Sequence, residues 1–384
     1  MKKDEDLYGI LRESIKEFVF KRIEPIRLKI DEEDYFPVDV FKAMGSMGYL
    51  GVTVPEEYGG SGMGYMAQAI IEEEIAYSSP SLALSYGAHS NLCLDHMYVN
   101  GSEYVRENYV RKLVSGEWIG SLCLTEPGSG SDAFSMKTSV IDENGKLSVK
   151  GSKTFITNAP YADLLLTYAK DGDGYSALII LGSDPGFSRG KRLKKMGMRG
   201  SPTGELFFDG VPVDENRFVG KRYDGKNIIL EGLNSERAIL SFVFLGLARR
   251  AIDMSVQYST DREQFSSPLY DFELIQEKLA YMYTKYESAE LLALRAVEML
   301  DKDRTNPIYA ASAIMYAAES AEYIAREAIQ IHGGYGYLKD TGVEYLLRDA
   351  ILGQIGAGTT EIRKKVISKS MIRNYRKYGK FEGS

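Results

Sequence analysis

The 384-residue sequence predicts an α+β multidomain fold, with an N-terminal helical domain, a middle antiparallel β domain and a C-terminal four-helix bundle. Three observations carry that expectation. From about Leu7 to about Gly116 the chain reads helical. Between Trp118 and Phe208 it breaks into short β-rich runs. From about Asp224 to the end, long helical stretches return. The length exceeds what one small core organises, so two or three domains are expected. The boundaries fall at 1–117, 118–223 and 224–384.

Each element has its own justification. MKKDEDLYGILRESIKEFV reads as an amphipathic helix, acidic early, without the apolar core of a signal peptide or the acid-poor character of a transit peptide. Ile70, Ile71 and Ile75 recur at helical spacing with acids between them. A Gly-rich break from Val54, VPEEYGGSGMGY, separates two helical groups. The runs 118–124, 146–150, 163–169, 175–181 and 205–208 are β-rich, and DENGK and KDGDG punctuate them as turns. The segments 225–262, 271–302, 306–331 and 360–376 are long enough to pack as a bundle. The basic RKYGK run near the C-terminus reads as a solvated tail.

Composition narrows the function. Lys and Arg number 47 and Asp and Glu 54, a net charge of −7, and no basic patch points to nucleic acid. Cys93 and Cys123 lie far apart, which excludes a disulfide framework and suits a reducing compartment. Only His89, His96 and His332 are available, which argues against a metal site. No window approaches a transmembrane span. A soluble, cytoplasmic protein without a membrane partner is expected.

Glu236 stands beside Arg237 at the edge of a strongly apolar stretch, Ala238 to Ala248, broken only by Ser241 and Gly246. Against such a wall a carboxylate loses solvation and its pKa rises toward the range of a general base. The plainer reading is a helix-start carboxylate in water. GSGSDA from Gly128 fits the weak dinucleotide pattern, yet FSMKTSVIDENGKLSVKG follows and alternates like strands, so a Rossmann site is rejected. The small residues still let backbone N–H groups approach an anion or a flat ring. In GSKTFITN, Phe155 and Thr157 would share one strand face, for ligand or for ordinary sheet packing. Gly333-Gly334 is either a helix C-cap or a backbone approach to a phosphate. Thr359 and Thr360 open a helix after a small-residue loop, either a simple cap or an anion site. Arg262, at a helix end, either complements the dipole or pairs with a phosphate.

Together VPEEYGGSG, LTEPGSGSD, FITN, DREQF, IHGGYGY and GAGTTEIR, in this order, resemble the acyl-CoA dehydrogenase family over essentially the whole chain. Within it, SYGAHSNLC from Ser85 and NSER with GAGT are most similar to the isovaleryl-CoA dehydrogenases. The resemblance implies the three-domain architecture, bound FAD and a homotetramer. Many members carry the catalytic glutamate where this chain has Ala357, and the isovaleryl and long-chain members carry it where this chain has Glu236. Glu236 is therefore the expected base. By the same resemblance, Leu122, Leu124, Thr125, Gly130 and Ser131, with Phe155, Ile156 and Thr157, would hold the flavin ring. Phe155 replaces a more usual tryptophan, and either ring can stack. Arg262, Phe265, Gln330, Gly333 and Gly334 would hold the rest of the dinucleotide, joined by Thr359, Thr360 and Glu361, several of them across a subunit boundary. Glu273 replaces a usual glutamine there and would repel the pyrophosphate.

The implied reaction is α,β-dehydrogenation of a short or branched acyl-CoA, with electron-transfer flavoprotein as acceptor. Glu236 would take the α proton, and the β hydrogen would leave as hydride to flavin N5. A flavin ribityl hydroxyl and a backbone N–H near Ala357 would stabilise the enolate, at about 3 kcal/mol per donor. Leu84, Ala88 and Gly356 match acyl-pocket positions, while Ser131, Asn234, Arg237, Ala357 and Gly358 complete the expected substrate contacts. Gly353 stands where the isovaleryl enzyme has a bulky aromatic, and would widen the pocket. The alternatives are a longer-chain dehydrogenase, an acyl-CoA oxidase-like flavoenzyme, and a non-catalytic flavin-binding assembly protein, against which Glu236 argues.

Overall fold

The computed structural model of the chain describes residues 2–381. The N-terminal region is helical. It runs through α1 (Lys2–Arg22), α2 (Arg27–Glu32), α3 (Val38–Ser46), α4 (Gly64–Ser78) and α5 (Pro80–Gly87). A π-helical segment, Ala88–Asp95, continues α5 into α6 (His96–Asn100), and α7 (Glu103–Val105) and α8 (Arg111–Val114) follow.

Helix α4 departs from its sequence reading. Ile70, Ile71 and Ile75 are buried, but so are Glu72, Glu73 and Glu74, at 0%, 2% and 3% exposure. The helix packs between α1, α5 and the long α9 (Gly225–Asp261), so it has no water face. Two of the acids are compensated. Arg249 Nη1 lies 2.7 Å from Glu73 and its Nη2 2.6 Å from Glu74, and Arg12 reaches both. Glu72 has no partner for either oxygen among the described residues.

The middle region holds β1 (Gly120–Cys123), β2 (Ser139–Glu143), β3 (Lys146–Thr157), β4 (Leu164–Asp171) and β5 (Gly174–Leu181). It continues with β6 (Phe187–Arg192), β7 (Thr203–Val213) and β8 (Phe218–Val219). They form one sheet in the order β6-β7-β3-β2-β4-β5-β8, with β1 beside β4. The expectation of a purely antiparallel domain is corrected: β1 and β2 both pair parallel to β4. Parallel pairing needs a long crossover, which the β2–β3 excursion between β1 and β4 supplies. Strand β6 escaped the sequence reading because it is an exposed edge carrying Arg189, Lys191 and Arg192, without apolar alternation.

After α9, the chain makes a two-residue ladder, β9 (Glu263–Gln264) with β10 (Ser267–Pro268). Helices α10 (Glu273–Lys302), α11 (Pro307–His332), α12 (Glu344–Ile351) and α13 (Thr360–Tyr378) follow. Helices α9, α10 and α11 pack on one another, and α13 lies against α11. One apolar core runs from Ile15 and Ile71 to Val243 and Ile314, so the two helical regions share it, while the sheet buries Val149, Leu165 and Phe208 in a core of its own. Among the described residues no helix is long and apolar enough to cross a membrane.

Candidate active site

Glu236 is the twelfth residue of α9, three turns inside the helix, not at its start. The water-facing reading is corrected with it. The side chain keeps partial exposure, yet burial pushes its carboxyl up from an ordinary 4.5 to about 7, against the opposing pull of Arg237 and Arg363. Both arginines also bind the loop that precedes α13. Arg237 Nε donates to the Ala357 carbonyl at 3.1 Å, and Arg363 Nη1 donates to the Gly353 carbonyl at 2.6 Å. Arg363 Nη2 donates to the Gly356 carbonyl. Ala357 and Gly358 have φ of 54° and 86°, so the loop turns sharply through left-handed backbone there. Their N–H groups donate to nothing among the described residues. The loop carrying Ala357 and the helix carrying Glu236 thus meet at one place.

Gly353 does not open a space. A Cβ there would stand 2.8 Å from the Phe244 ring and 2.8 Å from Ala318 Cβ, so Phe244 fills the volume that a larger residue 353 would take. The expected widening is corrected. At Gly356 a Cβ would meet only ordinary contacts with Leu352, so room remains. Asn234 is buried and its Nδ2 donates to the Arg304 carbonyl at 3.0 Å, which commits the amide to a structural bond.

A second group of residues forms at the end of β1 and the end of β3. Thr154 N–H donates to Thr125 O at 2.9 Å and Ser121 Oγ to Thr157 O at 2.5 Å. The β3–β7 register shifts between Lys153 and Ile156, a bulge that places Phe155 at φ 58° with 69% of its surface exposed. The sequence reading of plain alternation across Phe155 and Thr157 misses this bulge. Ile156 points into the sheet core, so only its backbone is available to a ligand. Leu122, Leu124 and Thr125 are half-buried, and Gly130 and Ser131 are exposed on the following loop. That loop is anchored by a buried ion pair. Lys153 Nζ lies 2.8 Å from Glu126 Oε1 and donates to Leu124 O at 2.9 Å, while Glu126 accepts from the N–H groups of Lys137 and Thr138. Asn158 Nδ2 ties this platform to α5 through the Ser85 carbonyl at 2.9 Å, one residue from Leu84 and three from Ala88.

A third group sits at the far end of α9. A cleft of about 520 Å³ is lined by Tyr258, Arg262, Gln264, His332, Gly333 and Gly334, among others. Gly333, at φ 58°, ends α11, so the C-cap reading and an open backbone coexist. Gln330 and Phe265 are exposed and are not among the lining residues. Arg262 follows the last residue of the unbroken helix that carries Glu236, roughly 39 Å away at a rise of 1.5 Å per residue. At the start of α13, Thr359 caps the helix by accepting from the Ile362 N–H at 3.4 Å. Thr360 Oγ1 is buried without a partner, and Glu361 is exposed in the first turn. Glu273 opens α10, exposed, where its charge suits the helix dipole. Sequence reasoning missed Gln264, although it lies inside DREQF, and Glu72, which three successive acids inside an Ile-periodic helix could have flagged.

Comparison with known proteins identifies the framework. Models of the acyl-CoA dehydrogenase N-terminal, middle and C-terminal domains match residues 8–117, 121–211 and 223–372. A mitochondrial isovaleryl-CoA dehydrogenase of Oryza sativa subsp. japonica is 40% identical over 376 residues, 96% of this chain and 92% of that one. Among solved structures, butyryl-CoA dehydrogenase from Megasphaera elsdenii matches with a TM-score of 0.93 and 31% identity, covering 96% of this chain and 98% of that chain. An acyl-CoA dehydrogenase complexed with FAD from Bacillus anthracis matches with a TM-score of 0.92 and 30% identity, covering 97% of this chain and 67% of that one.

Proposed function

The chain belongs to the acyl-CoA dehydrogenase family, FAD-dependent oxidoreductases acting on CH–CH bonds, and from that premise we propose that it dehydrogenates a short or branched acyl-CoA with Glu236 as the α-proton base. The observation that carries this reading is the Glu236 carboxyl, raised to about 7 by burial and set beside a loop with free N–H groups. At that pKa the group is half ionised near neutrality, so it can both take and release a proton. The thioester oxygen would accept from the Ala357 or Gly358 N–H, which lowers the cost of removing the α proton. Phe244 filling the space beside Gly353 favours a short or branched acyl group over a long one.

The residues present fit FAD. The exposed Phe155 ring on its bulge offers a face for a flat ring system, and the unpartnered Thr360 hydroxyl and the capped start of α13 offer donors to an anion. The flavin, when bound, supplies the acceptor for the β hydrogen. Leu124, Thr125 and Ser131 would flank it, with the backbone of Ile156 and the side chain of Thr157. Arg262, Gly333 and Gly334 would grip a phosphate or the adenine in the far cleft. They lie about 39 Å along α9 from Glu236, further than one extended dinucleotide reaches, so they serve the site of a second copy. This supports a homo-oligomer, with the tetramer as the family expectation. Electron-transfer flavoprotein is the proposed acceptor. The test is an anaerobic titration of the yellow protein with a panel of acyl-CoAs, isovaleryl-CoA included. Bleaching by a short or branched thioester is expected. A protein bleached by none overturns the assignment of Glu236, and rapid reoxidation in air would replace the flavoprotein acceptor by oxygen.

A further inference from the structure

The reaction proposed above leaves one buried acid on α4 unused. Glu72 is 0% exposed, and among the described residues neither of its oxygens has a hydrogen-bond partner. Its carboxyl packs on α5, where a Cβ at Gly87 would stand only 2.5 Å from Oε1, so a side chain at residue 87 would push the carboxyl aside. Gly87 is next to Ala88 and one turn from Leu84, the two residues assigned to the acyl pocket. On its other side Glu72 senses the charge of Glu236, which adds to burial in holding its proton on. The carboxyl therefore lies between the proposed base and the proposed acyl lining.

Among the described residues no group donates to the Glu72 carboxyl, and the Tyr86 hydroxyl, which feels its charge, donates to the Tyr49 carbonyl at 3.0 Å instead. Asn91 Nδ2 donates to Gln68 Oε1 at 3.0 Å and to Ser235 Oγ at 2.9 Å, which leaves Asn91 Oδ1 buried and unpartnered as well. Gln68 is one turn before Glu72 on α4, and Ser235 directly precedes Glu236. The nearby arginines are engaged elsewhere, Arg237 on Ala357 and Arg363 on Gly353 and Gly356, while Arg249 and Arg12 take Glu73 and Glu74. An unpaired buried carboxyl is costly, and a plain hydrocarbon chain leaves it unpaired. A ligand with an N–H or O–H group relieves it.

We propose that Glu72 is a specificity-determining residue of the acyl site, which selects an acyl-CoA carrying a hydrogen-bond donor, an amine above all, beyond its β carbon. This rests on the proposed acyl-CoA dehydrogenation. An ammonium group supplies up to three donors and a positive charge that favours ionisation of the carboxyl it meets, and a hydroxyl supplies one donor. The carboxyl does no chemistry on the substrate; it sets which acyl tail fits.

The test compares isosteric thioesters on the purified holoenzyme. Dissociation constants are measured by calorimetry for 4-(dimethylamino)butyryl-CoA against 5-methylhexanoyl-CoA, and for 4-hydroxybutyryl-CoA against pentanoyl-CoA. The expected preference for the donor-bearing member of at least one pair is about tenfold or more. Glu72→Leu should reverse it by tightening the hydrocarbon and weakening its partner. Glu72→Gln, which keeps the shape, guards against a misfolded Leu variant and should reduce the amine preference. A ratio that both variants leave unchanged overturns the proposal. The flavin readout separates the two claims. If no thioester bleaches the flavin while the ratios follow residue 72, the dehydrogenase assignment fails and the donor selectivity stands; bleaching by hydrocarbon thioesters with ratios blind to residue 72 is the opposite result.

Discussion

At the scale of single residues, Glu236 couples activity to a stability cost. Its folded pKa of about 7 lies above the ordinary 4.5, so the native state binds its proton more tightly than the unfolded chain does. The stabilisation is complete below pH 4.5 and is lost as pH rises through 7. Glu236→Gln should therefore melt higher than the parent at pH 8, and the two should converge in acid; scanning calorimetry at several pH values checks this. The same variant should keep FAD and lose about 10²–10⁴-fold in the rate of flavin reduction by substrate. In the parent that rate should rise about tenfold per pH unit below 7 and level off above it, read by stopped flow. The raised pKa was legible from the apolar run Ala238–Ala248, because desolvation follows from local composition. The position three turns inside a helix was legible too, because the helical segment 225–262 already contains the upstream residues; the helix-start reading of Glu236 overlooked them.

At the scale of elements, the platform proposed to hold the flavin depends on one buried ion pair. Lys153 on β3 and Glu126 on the loop after β1 are 0% and 6% exposed as side chains. Glu126→Ala would strand a buried ammonium, a change that costs roughly 3 kcal/mol. The variant should melt several degrees lower and release FAD on gel filtration, while Glu126→Gln, whose single carbonyl oxygen still accepts one of the Lys137 and Thr138 N–H bonds, should do so less. An Ala variant that retains its yellow colour and its melting temperature would remove this pair from the argument. The long helices α9, α10, α11 and α13 were readable because periodicity is a local property of the chain. Strands β6 and β8 were not, since an exposed edge and a two-residue strand have no alternation to read. The bulge at Phe155 was also hidden, because the register of β3 is decided by β7, some fifty residues later.

At the scale of the whole molecule, a single chain does not bring together the two regions proposed to bind the dinucleotide. Glu236 and the Arg262 cleft are held apart by the rigid α9 they share. If a second copy completes each site, two defective chains can repair one another. Glu236→Gln lacks the base, and Arg262→Glu places a negative charge in the cleft. Each homogeneous protein should fail to dehydrogenate substrate. Co-expressed, tagged separately and purified through both tags, they should regain up to about a quarter to a half of the parental activity per flavin, because some sites combine an intact Glu236 with an intact Arg262 of the other copy. Mixed oligomers as inactive as their parents would place both residues in one subunit's site. Spacing and periodicity show no such division; in the sequence only the family resemblance implies that several of these contacts cross a subunit boundary.

The sequence by itself determined the order of helices, sheet and bundle, because hydrophobic period and turn chemistry act over a few residues. It also supplied the ordered motifs that mark the family and the carboxylate that remains when Ala357 replaces the alternative base. Tertiary structure decided what depends on distant neighbours. It made α4 a helix without a water face, left Glu72 unpaired beside Gly87, filled the space at Gly353 with Phe244, and set β1 and β2 parallel to β4. The physical reason is common to all four. A side chain's solvation and a strand's direction are set by what packs against them from far along the chain, and no local pattern encodes that neighbour.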